Sequence, residues 1–381
     1  MLYYTHKINK KEVYMKLNKA FKFRLLPNQT QIDLLAKTFG CCRFIYNKML
    51  EDKIKYYQET KKHLSVTPAK YKQEFEWLKE VDSYSLCNEQ INLQTAFNNF
   101  FRIPKVGFPK FKSKKSDKSS YTTSNVSNII RANDKHQIHL CKLGWVKFVE
   151  HRKIPTDYKI KSATITKTPS GKYYISILTE YEYEISKRVL DKNKSLGLDY
   201  SSHDFYVDNQ GRSPENLHHY YRDLQGKLAF HQRKLSHMVK GSNNYARQKI
   251  VIARIHERIS NQRKDFIEKE STKLANSYDV ICLEDIDLSN IAQSLKLGKS
   301  TLDNAFGMFR TRLEQKMMLQ GKLIIKIDKW FPSSKLCRFC GCINKDLKLS
   351  DRVWKCECGE TLNRDENAAI NILNEGLRRI V

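Results

Sequence analysis

The chain has 381 residues, 40% of them apolar, enough for two or three domains with cores of their own. Against 41 Asp and Glu stand 69 Lys and Arg, and the resulting charge of +28 points to a polyanionic partner. No apolar run approaches the roughly 18 residues of a membrane-spanning helix. Residues 1–20 are polar and lysine-rich, without the apolar segment of a secretory signal. These features argue against secretion and against membrane insertion.

Residues 1–15 form a leader of uncertain standing, and Met15 opens a cleaner pattern. From Ala20, Phe21, Phe23 and Leu25 alternate with Lys22 and Arg24, the period of a half-buried strand, which Pro27 and Asn28 end. Ile32, Leu35 and Phe39 predict a helix, with a second helical run from about Cys41 to Lys61 and intermittent helical patterning to about Phe101. Residues 102–118 are basic, with two prolines and two phenylalanines, and read as a loop. Strand signals then dominate. ATITKT, a Pro169-Ser170-Gly171 turn and KYYISILTEYE predict a hairpin. A first strand whose partners come after residue 120 implies a β-domain with a helical insertion.

After about Lys187 the pattern becomes mixed α/β. SLGLDYS, FYVDNQG, YDVICLEDI and KLIIKID read as strands. A long helical stretch fills roughly 217–277 with a break near Gly241, a helix spans about 303–320, and NRDENAAINILNEGL closes as a helix. Asp199 and Glu284 end two apolar strands and Asp365 opens the last helix, so one sheet edge can gather all three. Such a cluster of hard oxygen donors suits paired divalent ions, which activate water and steady a phosphodiester. Taken singly, each is an ordinary strand-end or helix-start acid; together, in so basic a chain, they form a candidate catalytic triad. Asp204, Asp285 and Asp287 read as surface acids, Asp285 being the one placed to support the triad.

Ten cysteines divide into five scattered residues, Cys41, Cys42, Cys87, Cys141 and Cys282, and five clustered ones. In the cluster, Cys337-x2-Cys340 and Cys356-x-Cys358 supply four thiolates for a structural zinc ion, with Gly341 and Gly359 at the two knuckles. Cys342 is a spare thiol able to replace Cys340. On the helix after Gly241, Val251, Ile252, Ile255, Ile259 and Phe266 form an apolar stripe, and Arg247, Arg254 and Arg258 form a basic one suited to phosphate. Lys105, Lys110, Lys112, Lys114 and Lys115, interleaved with Phe108 and Phe111, form a second candidate nucleic-acid surface.

The blocks AFKFRLLPNQTQ, FGCCRFIYNKML, GFPKFKSKKSDKSSYTT, LGLDYS, GSNNYARQKIVIARIHERISNQRKDF and VICLEDI, and above all FPSSKLCRFCG, WKCECG and NRDENAAINI, resemble TnpB, the OrfB-type protein of insertion sequences related to type V CRISPR effectors. The resemblance runs from about Met15 to the C-terminus. It implies a multidomain α+β and α/β chain: a β-barrel wedge domain (16–28 and 120–186), a helical recognition insert (29–119), an RNase H-like RuvC domain (187–330 and 362–381) and a zinc ribbon (331–361). It also implies an RNA-guided DNA endonuclease with Mg2+ on Asp199, Glu284 and Asp365 and Zn2+ on Cys337, Cys340, Cys356 and Cys358. The expected partners are a guide RNA from the transposon end and double-stranded target DNA, with no membrane and no need of oligomerisation. The expected place is the prokaryotic cytoplasm, at the nucleoid. Asn363 stands where many relatives carry Asp, and Cys-x-Cys is shorter than their usual Cys-x2-Cys. Two rival classes share the scaffold: a guided or direct DNA-binding repressor that does not cut, and a transposase that joins strands. Retention of all three acids argues against the first.

Overall fold

A computed structural model describes residues 14–114, 119–184, 189–215, 217, 219–288, 298, 303–348 and 350–380. The chain divides into two compact units, Tyr14–Tyr183 and one that begins at Glu184. Among the described residues no helix is long and apolar enough to cross a membrane.

The first unit opens with β1 (Tyr14–Leu26), which begins six residues before the alternating pattern. That extension is mostly exposed and is held by strand pairing rather than by burial, with Thr179 Oγ1 donating to Lys19 O at 2.9 Å. Asn28 then caps α1 (Gln29–Thr60) in a reciprocal box with Gln31. The two helical runs expected here are one helix. Leu35, Phe39, Cys42, Tyr46 and Met49 continue one buried stripe straight through Gly40, so burial outweighs the roughly 1 kcal/mol that glycine costs in a helix. Short α2 (Pro68–Glu74), a 3-10 turn (Glu76–Glu80) and α3 (Ser83–Arg102) follow. Residues 103–114 have no regular structure, as the composition predicts.

Strands β2 (Ser119–Ser124), β3 (Arg131–Asn133), β4 (Gln137–Leu140), β5 (Gly144–Val149), β6 (Lys159–Lys167) and β7 (Tyr173–Glu184) join β1 in a seven-stranded sheet of order β2-β6-β7-β1-β5-β4-β3. The expected hairpin is β6–β7, turned at Gly171 with φ +85°. The first strand does pair late in the chain, with β5. Phe21, Phe23, Ile165 and Ile175 share one core with Leu35, Ile45, Met49 and Leu86 of the helices. The described strands form an open sheet rather than the closed barrel that the resemblance implies. Edge strand β3 has only three residues, none of them buried, so it offers no apolar face to close onto β2.

The second unit contains β8 (Ser195–Ser201), β9 (Phe205–Asp208), α4 (Tyr220–Ser236), α5 (Asn243–Ser277), β10 (Val280–Glu284), α6 (Phe306–Leu319), β11 (Leu323–Ile327), β12 (Val353–Lys355), β13 (Thr361–Asn363) and α7 (Arg364–Arg378). A four-stranded sheet runs β11-β10-β8-β9, with β8, β10 and β11 parallel and β9 antiparallel. Strand β10 is apolar and buried from Val280 to Leu283 because both faces are covered there. Ile281 and Leu283 join the core of α5 and α6, whereas Val280 and Cys282 join Ile372 of α7.

Helix α7 meets this sheet backbone against backbone at Gly197 and backbone against side chain at Gly376. A Cβ at Gly197 of β8 would stand 2.1 Å from Ala369 O, and one at Gly376 of α7 would stand 2.3 Å from Cys282 Sγ. Only glycine permits either approach. Replacing Gly197 by Val is therefore expected to cost about 3 kcal/mol in urea unfolding. Gly226→Ala in α4, with nothing within 4 Å of the added carbon, should leave stability unchanged or higher.

Candidate active site

Register places the first two acids side by side. In the parallel pair β8–β10, Leu198 lies opposite Leu283, so Asp199 and Glu284 are the next residues on neighbouring strands, about 4.8 Å apart at the backbone. Asp365 comes from above, as the second residue of α7. Burial pushes the half-buried Asp199 carboxyl far above the usual carboxylate range. Glu284 and Asp365 push it further, against the Arg364 guanidinium and the Tyr200 backbone N–H. Burial also raises Glu284, against a hydrogen bond from the Ser333 hydroxyl. Thus the structure brings all three expected acids into one electrostatic neighbourhood.

They do not close into a cage. Among the described residues, the group whose donor atoms all lie within 4.8 Å of one another is made of cysteines, not of these carboxylates. Asp365 is nine-tenths buried and held by Arg352 Nη1 at 2.6 Å and Arg364 Nε at 3.3 Å. Asn363 Oδ1 accepts the N–H groups of Asp365 and Glu366 at 3.1 and 3.2 Å. It therefore serves as helix cap, a role Asn and Asp fill equally well.

Sequence reasoning missed the residues that hold this arrangement. Asn371 Nδ2 donates to Ser333 O at 2.8 Å and to Leu336 O at 2.7 Å, and Asn367 Nδ2 donates to Leu336 O at 2.7 Å. Two buried amides thus clamp residues 333–336 to α7 and aim Ser333 at Glu284. The signal was present in NRDENAAINI, where Asn367 and Asn371 stand four apart on an otherwise apolar helix face. Asp204 is half-buried against Ser201, while Asp285 and Asp287 are exposed, and Asp285 faces Arg310 at 3.5 Å.

The cysteine group is Cys337, Cys340, Cys356 and Cys358. Sγ separations of 3.8 Å (Cys337–Cys358) and 3.5 Å (Cys340–Cys356) match the roughly 3.8 Å edge of a tetrahedron with 2.3 Å metal–sulfur bonds. Hence the donor set fits zinc. Gly341 (φ +76°) and Gly359 (φ +96°) close the knuckles, each donating its N–H to the first cysteine of its pair. Although burial opposes it, the backbone N–H groups of Cys340 and Phe339 draw the Cys337 thiol down to about 7, toward the thiolate a metal needs. The short Cys-x-Cys spacing is accommodated, and Cys342 lies exposed outside the group. Strands β12 and β13 pair beneath it over Leu347, Trp354 and Leu362, and β13 runs directly into α7.

Three family models match the chain: a helix-turn-helix domain over residues 15–62, the OrfB_IS605 "Probable transposase" over 176–295, and a Cas12f1-like TNB domain over 306–372. A Streptomyces pristinaespiralis protein named as an RNA-guided DNA endonuclease is 32% identical over 95% of this chain and 90% of its own length. The chain belongs to the TnpB/OrfB family. InsQ of Escherichia coli K12, named in the same way, is 30% identical over 95% of this chain and 93% of its own. The cryo-EM structure of a Cas12f1–sgRNA–target DNA complex shares the fold, with a TM-score of 0.61 at 12% identity over 94% of this chain and 99% of that one. In this TnpB-family chain, residues 15–62 are a strand and one uninterrupted helix, with no turn between helices.

The expected basic surfaces divide on inspection. Arg247, Arg254 and Arg258 are exposed on α5 and have no ion-pair partner among the described residues. On the same helix Ile255, Ile259 and Phe266 are buried, and Val251 and Ile252 are half-buried. Lys105, Lys110 and Lys114 are also exposed, and Lys115 lies outside the described residues. Lys112 differs. Its amine pairs with buried Glu89 and sits 4.3 Å from the Tyr46 ring centroid, while its backbone is held by Asn47. It anchors the loop inside the unit.

Two measurements follow from this geometry. Metal analysis of the parent is expected to find about one zinc per chain, which Cys340→Ser should lose and Cys342→Ser should keep. Asp199→Asn is expected to stabilise the fold at neutral pH. An acid whose folded pKa is raised binds its proton more tightly when folded, so its cost is absent below the unfolded value of about 4 and grows as pH rises. The gain from Asn, read as the shift in urea midpoint in magnesium-free buffer, should therefore be larger at about pH 8 than at about pH 5.5.

Proposed function

We propose that this chain is a transposon-associated, RNA-guided DNA endonuclease of the RuvC type. The carrying observation is the convergence of Asp199, Glu284 and Asp365 at one sheet edge, where burial first, and then the charges of Glu284 and Asp365, raise the Asp199 carboxyl. Like charges gathered at such cost suit a site built to receive cations. The parallel core of β8, β10 and β11 with antiparallel β9 supports an RNase H-like domain, and the β12–β13 cysteine site supports a zinc ribbon inserted before its last helix. The names of the full-length relatives and the Cas12f1 likeness support the guided reading and its partners, a guide RNA and target DNA.

The donor set fits magnesium: three carboxylates, hard oxygen ligands, with a net negative field at Asp199. Asp199, Glu284 and Asp365 would hold it, and when bound it supplies an activated water and charge neutralisation at the phosphodiester. Ser333 fixes the direction of Glu284, and Asn363 fixes the start of α7 and so the place of Asp365. Gly197 lets that helix lie close enough for its first turn to face β8. Exposed Arg247, Arg254 and Arg258 are placed to hold a phosphate backbone, whose sequence is read by base pairing with the guide.

Purified with RNA transcribed from its flanking locus, the protein is expected to cut a matched plasmid with Mg2+ and not with EDTA. Asp199→Ala should abolish cutting, by about a thousandfold or more, with RNA binding retained in gel shift. Full activity in that variant would refute the assignment. Joined-strand products instead of breaks would favour a transposase.

A further inference from the structure

We infer that Arg352 is a positioning residue that exchanges partners: it neutralises Asp365 in the nucleic-acid-free protein and moves to a backbone phosphate when nucleic acid reaches the acids. This rests on the reading of those acids as the cation site. Asp365 is nine-tenths buried, and a buried carboxylate needs compensating charge. Two guanidinium groups give it. Arg364 is the fixed one, with 15% side-chain exposure, and it also faces Asp199. Arg352 is the other kind. Its side chain is 56% exposed, it reaches over from the residue before β12, and its single described ion pair is the 2.6 Å contact to Asp365 Oδ2. Its backbone is independently fixed, since Arg352 O accepts the Arg364 N–H at 2.8 Å. The guanidinium can therefore swing without disturbing either the ribbon or the helix.

While Arg352 holds that oxygen, a divalent cation at Asp365 meets both a positive neighbour and an occupied lone pair. A phosphodiester arriving at the same edge offers the guanidinium an equivalent bidentate acceptor. Transfer of Arg352 to it frees Asp365 as the substrate arrives, coupling cation binding to substrate binding. A merely structural role for Arg352 would predict weaker cation binding on its removal, through a less ordered Asp365.

The test uses the full chain, zinc-loaded, without RNA or DNA. Mn2+ binding is measured by calorimetry for the parent, Arg352→Gln, Arg352→Lys and Asp365→Asn. Arg352→Gln is expected to bind Mn2+ about threefold more tightly, as loss of a partly exposed ion pair allows, and Arg352→Lys to fall between it and the parent. Unchanged zinc content reports that the ribbon is intact. The affinity of the RNA complex for uncleaved target in Ca2+ should show a salt slope lower by about one in Arg352→Gln. Equal or weaker Mn2+ binding in Arg352→Gln, or an unchanged salt slope, overturns the exchange. A parent that binds no Mn2+, or binding that survives Asp365→Asn unaltered, instead sinks the cation-site reading and the exchange with it.

Discussion

The close approach of α7 to the sheet governs the second unit. A parallel sheet can bring only its own strand ends together, and β8 with β10 supply two carboxylates in register. The third must come from an element that crosses them. Helix α7 does so at the distance permitted by Gly197 and Gly376, where a single added carbon would strike a carbonyl or a thiol. Side-chain-on-side-chain packing would hold helix and sheet about 10 Å apart and lift Asp365 away from Asp199. The cysteine site then acts on the same constraint from the other direction. The four thiols gather at the β12–β13 hairpin, where a bound metal would fix it, and β13 becomes α7 without an intervening loop, so the orientation of the ribbon is the orientation of the helix start.

The cost of this convergence is visible in the charges. Asp199 and Glu284 both bind protons more tightly in the fold than in free solution, so each destabilises the protein at neutral pH. Compensation comes from polar and charged neighbours: the Ser333 hydroxyl at Glu284, the Arg364 guanidinium at Asp199 and Asp365, and Arg352 at Asp365. Sites that violate local preferences are paid for by their surroundings. Here the surroundings are the 333–336 segment and the ribbon edge, both tied to α7 by side-chain amides.

Much of this was legible because it is local. Strand period, a carboxylate at the end of an apolar run, and cysteines at knuckle spacing all lie within a few residues, and Asp199, Glu284, Asp365 and the four sulfurs were reached that way. Gly197 and Gly376 were not, since nothing local distinguishes a glycine needed for close approach from one that is merely tolerated. Arg352 and Ser333 escaped for the same reason. Their partners are 13 and 49 residues away, and only the three-dimensional path of the ribbon joins them. The single helix α1 was hidden by Gly40, although the buried stripe of Leu35, Phe39, Cys42, Tyr46 and Met49 was continuous. A closed barrel was implied by resemblance alone, and β3 is too short and too exposed to supply it.

The surplus of +28 also needs dividing before it can be read as a nucleic-acid surface. Part of the positive charge is internally committed, as in Lys112 with Glu89, Arg263 with buried Asp303, and Arg352 and Arg364 with Asp365. Composition counts all of these as available. What remains for a partner are cations such as Arg247, Arg254 and Arg258, spaced along one face of a helix whose buried stripe lies roughly a quarter turn away. A rigid row of that kind fixes the direction of a phosphate backbone, whereas the lysines of the 103–114 segment stand on irregular chain. On the proposed function direction matters more than total charge, because a strand would enter the acid-lined edge with one phosphodiester facing Asp199. On that reading the charged pairs nearest the acids are the ones whose rearrangement a substrate would drive, and the helical arginines are the ones that would hold it meanwhile.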